Sequence, residues 1–297
     1  MLGMQDFLRD VAYTLRPQQW VKNLLVLAPP FFGGALFTST DMFFKMFLAF
    51  VGFSLASSTA YILNDISDIE YDRLHPKKKQ RPLTSGRINI FTAVVLGIIT
   101  FALSLAASFI IGTDFLIITV LYLLLALSYS YYLQKIEIVD VFCIAIGFVL
   151  RIEAGGIASG IEVSNWLLLT TLLLSLLLGF GKRRHELALH NDPHNTFREV
   201  LSRYNTNFLD TTLSIFATTA IVTYAIYTVE VETRIFLVTV PLAIFGVLRY
   251  MYLVQTDTRG DPTESLYKDR PLLLTVLLWF LITTAIIYFK NIAGFLE

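Results

Sequence analysis

The stretch NDISDIEYD, residues 64–72, places an asparagine, three aspartates and a glutamate at the end of a long apolar run. On a helix at about 100° per residue, Asp65, Asp68 and Asp72 fall at roughly 0°, −60° and −20°, with Asn64 near −100°. Glu70 points to the other side. Three carboxylates and one amide therefore share a face that the fourth acid avoids. Like charges so placed repel one another unless a cation binds among them. Hard oxygen ligands, completed by substrate phosphates, are what Mg2+ prefers. The competing reading is a hydrophilic loop that begins at a membrane surface. The selection of one face and the basic stretch that follows favour metal–phosphate chemistry.

That basic stretch, RLHPKKKQRPL and beyond, contributes Arg73, Lys77, Lys78, Lys79, Arg81 and Arg87. Loop orientation in a membrane accounts for most of the lysines. Arg81 differs, because the RPL context fixes the backbone beside it, and it is read as a phosphate contact. A second polar stretch, GFGKRRHELALH (179–190), carries Lys182, Arg183, Arg184 and Glu186 and no aspartate pair. Basic groups there suit a directly bound phosphate, and Lys182 and Glu186 are spaced to pair at i,i+4; an ordinary helix cap has the same composition. RPQQWVKN (16–23) brings Gln19, Lys22 and Asn23 to the entry of the first span. Arg151 lies inside an apolar run, where a charge is expensive and is functional or paired. Asp140 and Glu153 are the nearby acids, so a substrate role and a structural ion pair both stay open. Tyr129 reaches a substrate group or joins an interfacial aromatic belt. His75, His185, His190 and His194 do not form H-E-x-x-H and read as solvated loop residues.

The elements that must position these groups are membrane spans. The chain has 297 residues, 55% hydrophobic and only 15% charged, against about 25% charged in a soluble domain. Runs of roughly 20 apolar residues predict nine spans near 18–37, 43–63, 91–112, 114–133, 138–159, 164–181, 209–228, 233–254 and 271–289. APPFFGG must bend or break the first. All but six of the 23 Lys and Arg (Lys22, Lys45, Arg151, Arg234, Arg249 and Lys290) lie in the N-terminal segment or the connections after even-numbered spans. Those parts face the cytosol by the positive-inside rule, which makes 1–17 a cytosolic segment and 64–90 and 182–208 cytosolic active-site loops of one integral membrane domain, 1–297. The N-terminus lacks a signal-peptide layout. The single cysteine, Cys143, permits no intrachain disulfide. A net charge of zero says nothing about a partner; no nucleic-acid partner is expected, and membrane lipids are.

NDISDIEYDRLHPKKKQRPLTSG resembles the first aspartate-rich signature of the UbiA superfamily of intramembrane prenyltransferases, N-D-x-x-D-x-x-x-D followed by R-P-L. The resemblance implies an all-α bundle with a cytosol-facing active-site cavity. It also implies Mg2+ held by Asn64, Asp65, Asp68 and Asp72, with the three aspartates as catalytic residues on a diphosphate. Relatives generally carry a second acidic motif at the end of helix 6, where this chain has GKRRHEL. With RPQQWVKN and GFVLRIEAGG, that departure is similar to the branch acting on decaprenyl phosphate as a phosphoribosyltransferase, over about residues 16–205.

This branch implies transfer of phosphoribose from phosphoribosyl diphosphate to a polyprenyl phosphate, with release of pyrophosphate, for cell-envelope polysaccharide synthesis in the cytoplasmic membrane. Lys22, Lys182 and Arg183 are then candidates for the acceptor phosphate, with Gln19, Asn23, Arg81, Tyr129, Arg151 and Glu186 as further substrate contacts. Two alternatives remain. A conventional UbiA enzyme would move a prenyl group onto an aromatic or quinone-like acceptor. A transporter would place polar groups near mid-bilayer with access from both faces.

Overall fold

The computed structural model describes residues 3–74, 78–188, 199–230, 234–256 and 262–293. His75, Lys77, His190 and His194 lie outside them. Two compact units divide the chain, one running through Val163 and the other beginning at Ser164.

The first unit starts with α1 (Met4–Leu15) and a 3-10 segment from Pro17 to Leu27, followed by the five-residue α2 (Ala28–Phe32). Next come α3 (Thr40–Ser67), α4 (Ile69–Leu74), a short 3-10 turn at Lys78–Gln80, α5 (Ile90–Ile111), α6 (Thr113–Tyr131) and α7 (Val139–Ser159). The second unit holds α8 (Asn165–Ala188), a 3-10 turn at Glu199–Arg203 and α9 (Thr206–Glu230). It continues with a 3-10 lead-in at Arg234–Thr239, α10 (Val240–Thr256), α11 (Pro262–Lys268) and α12 (Arg270–Ala293).

Among the described residues, eight helices are long and apolar enough to cross a membrane. The exception to the nine predicted spans is the first, which the structure forms as the 3-10 segment and α2. Pro17 opens it, Pro29 and Pro30 interrupt its donor series, and Gly34 turns away at φ 67°; prolines lack the N–H that a continuous helix needs. Residues 182–188, expected in a loop, instead complete α8.

α3 packs through small residues, as membrane helices do. Gly52 lies so close to α5 that an added Cβ would meet the Ala107 methyl at 3.1 Å. Thr59 and Thr100 share a hydroxyl bond of 2.8 Å, and Ser108 donates to Thr119 at 3.0 Å. The core beside them gathers Val26, Met46, Phe53, Phe115, Tyr122 and Ala154. α7 admits the irregular first span at Gly155, where a Cβ would stand 2.0 Å from the Val26 carbonyl oxygen. In the second unit Phe180 stacks on Phe216 at 5.5 Å, and Asp269 ties Arg249 of α10 to the start of α12. Large apolar side chains on α5, such as Phe91, Ile98, Phe109 and Ile110, are exposed. In an integral protein that surface belongs to lipid.

Candidate active site

The acidic motif is not one continuous helix. α3 ends at Ser67, Asp68 caps it at φ −95°, ψ 7°, and α4 resumes at Ile69. The break divides the carboxylates into two sets. Asp65 and Asp72, only 4% and 2% exposed, share one guanidinium: Arg81 Nη1 donates to Asp65 Oδ1 at 2.9 Å and also to Asp72 Oδ2. Arg16 Nη2 donates to that same Asp65 oxygen, and Lys78 Nζ lies 3.5 Å from Asp72 Oδ1. Asp68 turns elsewhere, accepting from Asn64 Nδ2 at 2.9 Å and from Gln134 Nε2 at 3.1 Å. Among the described residues no three carboxylate, histidine or cysteine side chains converge as a metal site. The sequence groups Asn64, Asp65, Asp68 and Asp72 as one ligand set; in the structure Asp68 bonds Asn64 and Gln134, whereas Asp65 and Asp72 share Arg81. Glu70 is exposed and pairs with Arg73 at 3.1 Å, away from the cluster.

Arg81 is held by the turn that follows it. Leu83 and Ile88 are buried with Ile62 and Ala93, Ser85 N–H donates to the Arg81 carbonyl at 2.8 Å, and Ile88 N–H donates to that of Pro82 at 3.0 Å. Arg87 adds a strap to α1, donating through Nε to both oxygens of buried Asp10 at 3.1 Å. Arg16, in a left-handed conformation at φ 54°, sits 5.1 Å from the Tyr61 ring. The backbone just before it is pinned, because Trp20 Nε1 donates to Ser58 Oγ at 3.0 Å and Ser58 Oγ to the Leu15 carbonyl at 2.8 Å. Sequence reasoning passed over Arg16 and Gln134. For Arg16 a signal existed, the arginine immediately before Pro17.

Arg151 does not form the ion pair left open from sequence. Its Nε donates to Asn23 Oδ1 at 2.7 Å, Nη1 to the Gly147 carbonyl at 2.5 Å, and Nη2 to the Tyr122 hydroxyl at 3.0 Å. The rings of Tyr122, Phe148 and Phe53 lie 4.8, 5.3 and 5.7 Å from its guanidinium carbon. Dipoles and aromatic faces replace the carboxylate, which is how a buried cation is held without a counter-ion. Asn23, fully buried, also bonds Ser54 and Ser57 at 3.1 Å. Gln19 and Lys22 are half-buried on the same 3-10 segment, and Tyr129 is half-buried on α6.

In the second unit Lys182 is exposed, whereas Arg183 is almost wholly buried and donates to Glu186 Oε2 at 2.6 Å. Arg184 pairs with Asp210 at 2.9 Å. His185, read from sequence as solvated, is buried, because α8 continues through it.

The described cluster sets two buried carboxylates, Asp65 and Asp72, against three cationic side chains, Arg16, Arg81 and Lys78. Two buried carboxylate oxygens converge on one cationic centre, Arg81 Nη1, so the pair could hold a hard divalent ion. Guanidiniums on the same spot suit the phosphate oxygens.

Comparison with known families bears on this geometry directly. A family model described as the UbiA prenyltransferase family matches residues 27–268. The chain belongs to this family. The UbiA match runs across the boundary between the two units, and an integral membrane transferase is the class it fixes. The chain is 32% identical over 290 residues to the decaprenyl-phosphate phosphoribosyltransferase of Mycobacterium tuberculosis, covering 96% of each chain. It is 33% identical over 285 residues to the protein of that name in Corynebacterium glutamicum, covering 92% of this chain and 85% of that one. A UbiA homologue from Archaeoglobus fulgidus, solved bound to DMAPP and Mg2+, superposes with a TM-score of 0.73 at 21% identity, covering 94% of this chain and 99% of that one. That likeness gives the fold: an all-α UbiA bundle, as the acidic signature implies.

Proposed function

We propose that this protein transfers the 5-phosphoribosyl group of phosphoribosyl diphosphate to a polyprenyl phosphate of the decaprenyl type, releasing pyrophosphate at the cytosolic face of the cytoplasmic membrane. The observation that carries this reading is the buried cluster of Asp65 and Asp72 with Arg16, Arg81 and Lys78 at the end of α3. The names of the full-length relatives support the choice of donor and acceptor, and the basic loops support the cytosolic placement of the site within one catalytic domain.

The chemistry follows from charge. As the diphosphate leaves the anomeric carbon, negative charge grows on its oxygens, and Arg16, Arg81 and Lys78 are placed to meet it. Asp65 and Asp72, with Asp68 and Asn64 nearby in the motif, would hold Mg2+, which would supply Lewis-acid neutralisation of the leaving diphosphate. The nucleophile is an oxygen of the lipid phosphate. It is already anionic, so the chain needs no general base. Lys22 in the first unit and Lys182 in the second are the candidates for substrate phosphates. Arg183 and Arg151, being buried and engaged, are assigned to holding their helices.

The test is purified protein with Mg2+, labelled phosphoribosyl diphosphate and decaprenyl phosphate. Label in the lipid phase that disappears with Asp65→Asn supports the reading. Failure there together with prenylation of an aromatic acid from a prenyl diphosphate moves the assignment to conventional UbiA chemistry. Liposome transport without covalent product moves it to a transporter.

A further inference from the structure

We propose that Arg16 and Arg81 force the divalent cation and the diphosphate to bind as one unit, because each arginine lies on a carboxylate that the cation needs and must pass to phosphate oxygens when the pair enters. The inference rests on reading the Asn64–Asp72 face as a cation–diphosphate site.

Charge is the reason. Asp65 and Asp72 carry two negative charges, and the guanidiniums of Arg16 and Arg81 lie against them, with Lys78 beside Asp72. Each carboxylate thus lies against cationic side chains. A divalent cation entering by itself must displace Arg81 from both oxygens, or sit beside it, where burial leaves little water to screen the repulsion. A diphosphate entering by itself must strip the arginines from the carboxylates and leave two buried charges without partners. When both enter, the cation takes the carboxylates and the guanidiniums take phosphate oxygens, so every charge keeps an opposite neighbour. The arrangement permits the exchange. The arginine side chains are 17% and 23% exposed against 5% and 2% for the aspartates, so the guanidiniums lie on the more accessible side of the cluster. Asp68, bonded to the neutral amides of Asn64 and Gln134, is the carboxylate that a cation meets without displacing an arginine.

Such coupling is reciprocal: each ligand tightens the other by the same factor. It is read from binding, apart from turnover. Full-length protein in detergent is titrated with Mn2+, followed by the loss of the free-ion paramagnetic signal, with and without saturating methylenediphosphonate and with the solution complex subtracted. Wild type should bind Mn2+ weakly and gain about tenfold or more with the diphosphonate, within the usual range of coupling factors. Arg81→Met should tighten Mn2+ taken singly by about tenfold, weaken the diphosphonate, and collapse the coupling. Arg81→Lys should keep most of the coupling, since it keeps the charge. Arg16→Met gives a second reading, and a thermal melt shows that each variant is folded. Equal Mn2+ affinity with and without diphosphonate overturns the proposal, as does an Arg16→Met and Arg81→Met pair that melts like wild type but binds Mn2+ no more tightly. Absence of Mn2+ binding under every condition sinks the cation-site reading beneath it, and the transfer assay above is untouched by either result.

Discussion

Arg151 Nε donates to Asn23 Oδ1 at 2.7 Å, joining the middle of α7 to the 3-10 entry segment 128 residues earlier in the chain. A polar bond inside the apolar bundle thereby sets where that segment lies. The same segment begins at Pro17, directly after Arg16, whose guanidinium rests on Asp65. Position passes from α7 through the entry segment to the carboxylates.

The first prediction concerns that link. Arg151→Met removes its hydrogen bonds to Asn23, Gly147 and Tyr122, and hydrogen bonds between membrane helices are worth about 0.6 kcal/mol each on average. The variant should lose thermal stability in detergent, and turnover should fall. Arg151→Lys, which lacks the planar fork, should restore little. A variant that melts and turns over like wild type removes the link.

Gly155 is the second position to test. A methyl there would stand 2.0 Å from the Val26 carbonyl oxygen, against backbone that cannot rotate away. Gly155→Ala should destabilise by about 1–3 kcal/mol, the usual range for overpacking, measured by thermal inactivation. Gly160, at φ 71° with open space around it, offers a contrast. Ala there meets only backbone strain, so its effect should be smaller.

The split motif makes a third prediction. Asp65→Asn and Asp72→Asn each remove a charge that would hold the cation facing the leaving diphosphate, and should lower kcat by about 10²–10³, the range for losing one contribution to transition-state charge stabilisation. Asp68→Asn should lower it less, because its partners are neutral amides. Steady-state kinetics on the three variants decides it; an equal loss from all three would mean that they act at one point.

The fourth prediction is negative. Glu70 is exposed and, among the described residues, bound only to Arg73, so Glu70→Gln should leave both melting temperature and kcat/KM at wild-type values. A loss of activity would return this acid to the site.

The site was legible wherever chemistry follows spacing. Helical angles separate Glu70 from the three aspartates, and the structure places it outside the cluster. The kink at Asp68 was not legible, since neither proline nor glycine marks it and the residue caps α3 while remaining inside the motif. Arg16 escaped notice because an arginine before a proline is how many spans begin; only the fold brings it to Asp65, 49 residues later. Arg151 drew attention as a charge in an apolar run, but its partners come from three other elements and none is an acid, so proximity in sequence pointed wrongly to Asp140 and Glu153. Proline and glycine content foretold the break in the first span. Burial of His185 depended on α8 continuing through a charged stretch that composition assigns to a loop.

The most direct test of the central claim is a count of pyrophosphate released from phosphoribosyl diphosphate by the purified protein, with and without decaprenyl phosphate. The account predicts one pyrophosphate per lipid-linked phosphoribose, release only when the lipid phosphate is present, and none with Asp65→Asn. Pyrophosphate release that ignores the lipid phosphate, or that appears only with a prenyl diphosphate and an aromatic acceptor, would contradict it.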